Sequence, residues 1–168
     1  MRRYGLWVLL FEALLAGSGR EIMAAEASER TDVKFTVSPI GWVRQEEGRT
    51  RIVLEKKYQP GLLGLEGFSH VYVFWWFDRN DTAVKRQVLQ VHPRGNPRNP
   101  LTGVFATRSP VRPNLIALTL CRIVSVKDNV VEIDSIDAMP DTPVLDLKPY
   151  VGRDMVGEFR VPDWARAK

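Results

Sequence analysis

The chain has 168 residues, of which 45% are hydrophobic and 26% are charged, and its formal net charge is +4. These values are typical of one globular domain, and the small charge permits an anionic partner without requiring one. With one cysteine and two histidines, an intramolecular disulfide is excluded and no zinc-type ligand set is visible.

The first segment resembles a secretory signal, because a basic start precedes an apolar run that is too short to span a bilayer. Glu12 interrupts that run, and the small-residue stretch Ala25–Ala27 comes late for a cleavage site. Two explanations stay open: export of the protein, or translation that truly starts at Met23. In both, residues 1–32 are excluded from the folded domain, which is expected over 33–152 with a C-terminal tail over 153–168.

Strand signals dominate the rest of the chain, and no window of twelve or more residues shows a convincing helical period. One helical turn fits residues 61–67. Eight short strands separated by Gly/Pro turns predict an all-β fold, a small closed antiparallel β-barrel with long loops. The predicted strands cover residues 35–43, 51–54, 69–77, 88–92, 103–106, 115–126, 130–136 and 144–147.

Three further expectations follow from these strands. Trp75 and Trp76 are adjacent, so one should fill the interior while a loop or a second subunit covers the other. Cys121 lies in an apolar stretch and is expected to be a buried, inert thiol. Asp146 and Lys148 alternate on one strand and are expected to form an ion pair.

A long cationic loop follows residue 103. It reads GVFATRSPVRPN, and the region from His92 to Arg112 holds four arginines and no acid. A solvated loop face explains the charge alone, but a simple turn needs only two to five residues. No GxGxxG, P-loop, GxSxG or HExxH motif occurs, so any cofactor would have to bind in the barrel and its loops.

Three segments carry a family resemblance: GLEGFSH at 64–70, GVFATRSPVRPN at 103–114 and TPVLDLKPY at 142–150. Together they resemble the TrmO family, also called TsaA or YaeB, over about residues 35–151. The resemblance implies a tRNA methyltransferase that uses S-adenosylmethionine. Its implied reaction methylates the exocyclic nitrogen of threonylcarbamoyladenosine beside the anticodon. It also implies a small β-barrel that binds the methyl donor at a homodimer interface.

Carried over by position, the implied contacts to S-adenosylmethionine come from five parts of the chain. They are Gln59, Pro60 and Gly61; Phe77 and Asp78; Arg108; Leu118; and Asp134, Ser135, Ile136 and Asp137. Arg108 suits a carboxylate, although an ordinary loop salt bridge is the alternative. Asp78 and Asp137 end apolar strands, where they either project into a cleft or cap a turn.

The target nitrogen is attached to a carbonyl and is a poor nucleophile until its proton leaves, so a general base would help. Asp137 and Tyr150 are the candidates, and the identity of any base stays open. Arg94, Arg98 and Arg112 suit the tRNA backbone. His92 either contacts the RNA or is structural, and a structural role is favoured for His70.

The sequence departs from the family pattern at Leu115 and Ala117, where Pro and Gly are usual, and at Asp141, where Gly is usual. Glycine at positions 117 and 141 would allow close approach or positive φ, and loss of the proline at 115 is expected to loosen the loop, so the changes bear on donor affinity. A non-catalytic barrel that binds S-adenosylmethionine or RNA is therefore the alternative function. No metal is expected, and the location is expected to be cytoplasmic, or exported if the signal-like segment is real.

Overall fold

The computed structural model describes residues 34–166, so the predictions for residues 1–32 lie outside the described part. All of the elements belong to the unit that begins at Ser38. The described residues form eight strands: β1 (Gly41–Glu46), β2 (Arg49–Leu54), β3 (His70–Trp76), β4 (Gln90–Val91), β5 (Thr102–Gly103), β6 (Ile116–Lys127), β7 (Val130–Ile133) and β8 (Pro143–Pro149). Within residues 34–166 the one α-helix, α1, spans Ala83–Arg86, and the other helical pieces are 3-10 segments of three to seven residues.

Six of the strands close an antiparallel barrel in the order β1-β2-β7-β6-β3-β8. The predicted barrel is thereby confirmed, with one difference: β4 and β5 pair with each other in a separate two-stranded sheet. The seam between β1 and β8 is short, since it joins only Gly41 to Val144 and Trp42 to Pro143. The longest ladder joins β3 to β6, from the pair His70–Arg122 to the pair Trp76–Ile116.

The barrel interior follows the period of two that a strand imposes. In β3 the buried positions are Val71, Val73 and Trp75, and they alternate with partly exposed neighbours. They pack with inward side chains of the other strands, among them Val43, Ile52, Cys121, Val131, Ile133 and Val144. Cys121 is 1% exposed, which confirms the predicted buried thiol.

The two adjacent tryptophans face opposite ways, as expected. Trp75 is 6% exposed and its Nε1 donates to Thr119 Oγ1 at 3.1 Å. Trp76 points outward, where its Nε1 donates to Asp81 Oδ2 at 3.0 Å and the Arg86 guanidinium lies 5.3 Å from its ring centroid. Hydrogen bonds from Arg86 and then from Trp76 lower the pKa of the Asp81 carboxyl. A loop of the same chain therefore covers part of Trp76.

The hairpin turns show why the strands end where they do. Glu47 and Gly48 adopt φ of 51° and 75°, the left-handed geometry that suits a two-residue hairpin. Asp128, in the turn between β6 and β7, has φ of 54°. The first strand was predicted too early, at 35–43. It begins at Gly41, two residues after Pro39, which has no N–H to donate to a ladder.

Candidate functional site

The cationic loop before β6 is held in shape by its own side chains. Thr107 Oγ1 donates to Val104 O at 3.0 Å and accepts from Ser109 N at 3.2 Å. Arg112 Nη1 donates to Thr107 O at 3.4 Å. These local bonds compete with regular structure and fix a compact turn. Arg108, between the bonded residues, is exposed.

Leu115 and Ala117, two of the departures from the family pattern, lie in the core rather than in the loop. Leu115 is 0% exposed, and its carbonyl accepts from Phe77 N at 2.8 Å. Ala117 is 5% exposed within β6, where it pairs with Trp75. Its φ is not positive, so the left-handed role considered for a glycine at this position does not apply. Leu115 anchors the end of the loop instead of loosening it.

Asp141, the third departure, does occupy a turn with positive φ, at 66°. Its amide donates to Val43 O at 2.8 Å, and its carboxylate forms an ion pair with Arg44. Aspartate tolerates the left-handed region better than most residues, and these contacts oppose the strain.

Four predicted residues meet at one end of the barrel, around a cavity of about 250 Å³ that we call the small cavity. They are Phe77, Asp78, Arg108 and Asp137. Trp75 joins them, and its ring centroid lies 4.7 Å from that of Phe77 in an edge-on arrangement. Two carboxylates, a guanidinium and an aromatic floor thus surround one space.

Arg79 also lines the small cavity, and its place there was not predicted. Its Nη2 donates to Pro140 O at 3.2 Å, and its Nη1 contacts the Met139 sulfur. It therefore ties the turn after β3 to the loop before β8. The only sequence signal was its position next to Asp78.

Residues 134–136 lead into Asp137 and have mainly structural contacts. Asp134 Oδ1 accepts from Arg122 N at 2.9 Å and from Ser135 N at 2.8 Å. Ile136 packs against the barrel core. These contacts fix the end of β7 and direct the chain toward the small cavity, so Asp134, Ser135 and Ile136 position Asp137.

The remaining predicted donor contacts lie elsewhere on this chain. Gln59 and Pro60 line a second cavity, of about 490 Å³, beside Val126 and Asp128. Gly61 belongs to the same 3-10 turn. Val126 and Ile116 are near opposite ends of β6, and a rise of about 3.3 Å per residue places them roughly 30 Å apart. Leu118 lies between them on the outer face of β6 and is 42% exposed.

The two candidate bases are separated. Tyr150 packs on His70 and Tyr72, with ring centroids 6.2 Å and 5.8 Å away. His70 begins β3, whereas Trp75 is near its end beside the small cavity. Of the two candidates, only Asp137 therefore faces the small cavity on this chain. The packing of His70 and its contact with Ser69 Oγ at 2.9 Å agree with a structural histidine.

A third, larger cavity of about 1240 Å³ adjoins the cationic loop, and we call it the large cavity. Arg94 and His92 line it, together with Arg108 and Pro110, which also line the small cavity. Arg98 and Arg112 are not among its lining residues. His92 Nδ1 lies 2.8 Å from Asn99 O, which orients its ring.

Two negative findings concern residues 34–166 only. Within this range no helix is long and apolar enough to cross a membrane. The same residues contain no cluster of three or more His, Cys, Asp or Glu side chains arranged to hold a metal ion.

Residues 34–154 match the family described as the tRNA-methyltransferase O N-terminal domain. The chain is 44% identical over 116 residues to a probable S-adenosyl-L-methionine-binding protein of Methanocaldococcus jannaschii, covering 69% of this chain and 92% of that protein. It is 44% identical over 93 residues to the tRNA (adenine(37)-N6)-methyltransferase of Homo sapiens, covering 55% of this chain and 20% of that protein.

Solved structures agree with this match. The crystal structure of TrmO from Pseudomonas aeruginosa superposes with a TM-score of 0.59 at 29% identity, covering 76% of this chain. The alignment covers 62% of the Pseudomonas chain. The chain thus corresponds to only part of the length of that protein and to a smaller part of the human enzyme.

Proposed function

The chain belongs to the tRNA-methyltransferase O N-terminal domain family, and from that premise we propose that it is a tRNA methyltransferase dependent on S-adenosylmethionine. The observation that carries the proposal is the small cavity, which gathers Phe77, Asp78, Arg108 and Asp137. We further propose that the substrate is threonylcarbamoyladenosine beside the anticodon and that the exocyclic nitrogen receives the methyl group.

The chemistry of the small cavity suits S-adenosylmethionine. Arg108 offers a planar fork for the carboxylate of its amino-acid arm. Asp78 offers a carboxylate to its ammonium group. Trp75 and Phe77 present aromatic surface, which favours a positively charged sulfonium through cation–π attraction.

In the proposed mechanism the protein contributes mainly positioning. When bound, the donor supplies an electrophilic methyl group for an in-line displacement. Asp78 and Arg108 fix the ammonium and the carboxylate at the α-carbon of the amino-acid arm, so the reacting groups need not search for alignment. Asp137 accepts the proton of the acceptor nitrogen, because it is the candidate base in the small cavity.

A homodimer would complete the donor site. Gln59 and Pro60 lie roughly 30 Å along β6 from the small cavity, farther than one donor molecule reaches. A two-fold axis through the middle of β6 would place the Val126 end of one strand beside the Ile116 end of its partner. Residues 59–61 of one protomer would then face Phe77, Asp78 and Arg108 of the other.

The surface required for such a dimer is present. Ile116, Leu118 and Leu120 alternate along the outer side of β6 and are 44%, 42% and 44% exposed. Phe74 and Tyr72 pair with Leu118 and Leu120 and lie on the same side of the sheet. We call these five side chains the β6 face. A contiguous apolar face of this kind is typical of a subunit interface.

Arg94, Arg98 and Arg112 are proposed to hold the phosphates of the tRNA. All three belong to the acid-free region between His92 and Arg112. Phosphate contacts supply much of the affinity for RNA and make it depend on salt. Since the proposed substrate is a cytosolic RNA, we propose a cytoplasmic location.

A second candidate function is binding without catalysis, and the names of several relatives favour it. Proteins of Methanocaldococcus jannaschii and Pyrococcus horikoshii, 44% and 40% identical, are described only as probable S-adenosyl-L-methionine-binding proteins. Such a protein would keep the small cavity and bind the donor or RNA without transferring the methyl group.

One experiment separates the two functions. The purified full chain is titrated with S-adenosylmethionine by calorimetry and then assayed for methyl incorporation into tRNA that bears threonylcarbamoyladenosine. Incorporation supports the methyltransferase, and tRNA lacking the threonylcarbamoyl group is the matched control. Binding without incorporation favours the second candidate. Absence of binding contradicts the methyltransferase and the donor-binding form of the second candidate.

A further inference from the structure

The large cavity has a wall that lies outside the family match. Val161, Trp164 and Ala165 line it from the C-terminal segment, whereas the match ends at residue 154. Facing them are the segment 91–97 and the cationic loop from Phe105 to Val111. Nothing in the donor site described above requires this C-terminal wall.

One hydrogen bond joins the C-terminal segment to the opposite side of the cavity, and an ion pair lies within the segment. Arg94 Nη2 donates to Arg166 O at 3.4 Å, across the cavity rim. Asp163 and Trp164 belong to a 3-10 turn, and Asp163 Oδ1 lies 3.2 Å from Arg166 Nη2. Trp164 is thereby positioned by Arg94, a residue of the predicted RNA-binding set.

The lining combines aromatic surface with positive charge. Phe105 is 78% exposed and Trp164 is half-buried, so both rings present surface to the cavity. Arg94 and Arg108 add two guanidinium groups, and none of the described lining residues is acidic. Arg94 holds φ of 59°, a conformation that costs a non-glycine residue energy and occurs often at binding sites.

This combination is the one that binds unpaired nucleotides. Single-stranded RNA is held by aromatic side chains that stack on bases and by cations that contact phosphates. An apolar peptide segment would gain nothing from two arginines. A simple anion would gain nothing from Phe105 and Trp164.

We propose that the large cavity binds an unpaired nucleotide of the RNA, with its base stacked on Trp164 and its phosphate on Arg94. This inference rests on the proposed tRNA methyltransferase function and adds an RNA subsite to it. Arg108 and Pro110 line both cavities, so a nucleotide in the large cavity lies next to the small cavity. Trp164 acts in RNA binding and not in donor binding.

The test compares RNA affinity and donor affinity in the full chain and its variants. An end-labelled single-stranded oligoadenylate is titrated with the wild-type protein, Trp164→Ala and Trp164→Phe. We expect Trp164→Ala to weaken RNA binding about tenfold and Trp164→Phe to retain most of the affinity. Calorimetry with S-adenosylmethionine should give the same affinity for all three proteins. Equal RNA affinity in wild type and Trp164→Ala would overturn the proposal.

Tryptophan emission gives a second readout that does not depend on how Trp164→Ala folds. Oligoadenylate should quench the wild-type protein more than Trp164→Phe, because a stacked base quenches the indole that it covers. Quenching of the same size in both would overturn the stacking assignment, since other tryptophans would then account for it.

Charge variants test the phosphate contact. The slope of log affinity against log salt concentration measures how many phosphate contacts the protein makes. Arg94→Ala should reduce that slope for oligoadenylate by the equivalent of about one phosphate contact. Arg49→Ala removes the same charge from the start of β2, outside the large cavity, and should leave the salt dependence unchanged. Equal effects of the two variants, or equal competition by polyglutamate of matched charge, would overturn the nucleotide site. A protein that binds oligoadenylate through Trp164 but not S-adenosylmethionine would instead contradict only the proposed function.

Discussion

Arg108 is the charged residue that lines both cavities, and it shares this position with Pro110. Arg108→Ala should weaken binding of S-adenosylmethionine at least tenfold, equivalent to about 1.4 kcal/mol, because a charge-assisted contact to the carboxylate is lost. Arg108→Lys should restore part of the affinity, since it keeps the charge but not the fork. Calorimetry measures both.

The matched control for Arg108 is Arg98→Ala, which removes the same charge from the acid-free region but from neither cavity. It should leave donor affinity unchanged. If Arg108→Ala binds the donor as tightly as the wild type, then Arg108 does not contact it.

Cys121 reports on opening of the barrel. Desolvation, with a smaller contribution from Asp134, raises the pKa of its thiol to about 12. At a pH near 8 a free cysteine is partly thiolate and reacts quickly, whereas Cys121 stays protonated inside the core. We expect a thiol reagent to label the native protein far more slowly than the chain unfolded in denaturant. Labelling at similar rates would mean that β6 opens readily.

Some residues that line the small cavity could be predicted from the sequence, and others could not. Phe77, Asp78, Arg108 and Asp137 follow apolar strands or lie in an ordered motif, so resemblance and strand pattern together indicate them. Arg79 carries no such signal, and neither does Trp164 in the large cavity. Their positions depend on contacts between segments that are distant in the sequence, and a local sequence pattern does not predict such contacts.

At the scale of elements, Gly41 is the position where β1 contacts both of its neighbours, because it pairs with Leu54 and with Val144. A Cβ at this position would lie 2.7 Å from Leu54 Cα and closer still to Val53 O. Gly41→Ala should therefore lower the free energy of unfolding by about 1–3 kcal/mol through overpacking. Denaturant titration measures the change.

Gly67→Ala is the matched control, since a Cβ there meets nothing within 4 Å and its φ is not positive. It should leave stability unchanged or raise it slightly by reducing the entropy of the unfolded chain. A loss of similar size in both variants would contradict the close-approach argument.

Strand positions were predictable for β3, β6 and β7, because their apolar residues alternate or run continuously between turn signals. Membership of the barrel was not predictable for β4 and β5. Both are only two residues long and pair with each other, so their placement depends on the loops that surround them. The charged end of β1, from Arg44 to Glu46, was not predicted. It lacks an alternating apolar pattern, and it belongs to the strand because of its pairing with β2.

At the scale of the whole molecule, the β6 face is the proposed contact between two copies. Leu120→Arg should give a monomer in sedimentation and weaken binding of S-adenosylmethionine, because a buried charge opposes the interface and the donor site loses its second half. Leu101→Arg introduces the same charge at a side chain that is 58% exposed in the loop before β5, and should change neither property. A wild-type protein that sediments as a monomer yet binds the donor would contradict the shared site.

The short seam between β1 and β8 has a consequence for how the protein is made. β1 can pair with β8 and close the barrel only after β8 has been synthesised, late in the chain. Until β7 and β8 emerge from the ribosome, the β1–β2 hairpin has both outer edges unpaired and its apolar side uncovered. Pairing between ends so distant in sequence is slow, because loop-closure entropy is lost before the contacts form. The nascent chain therefore completes its barrel in one late step. Until then its unpaired strand edges must be kept from pairing with other unfinished chains.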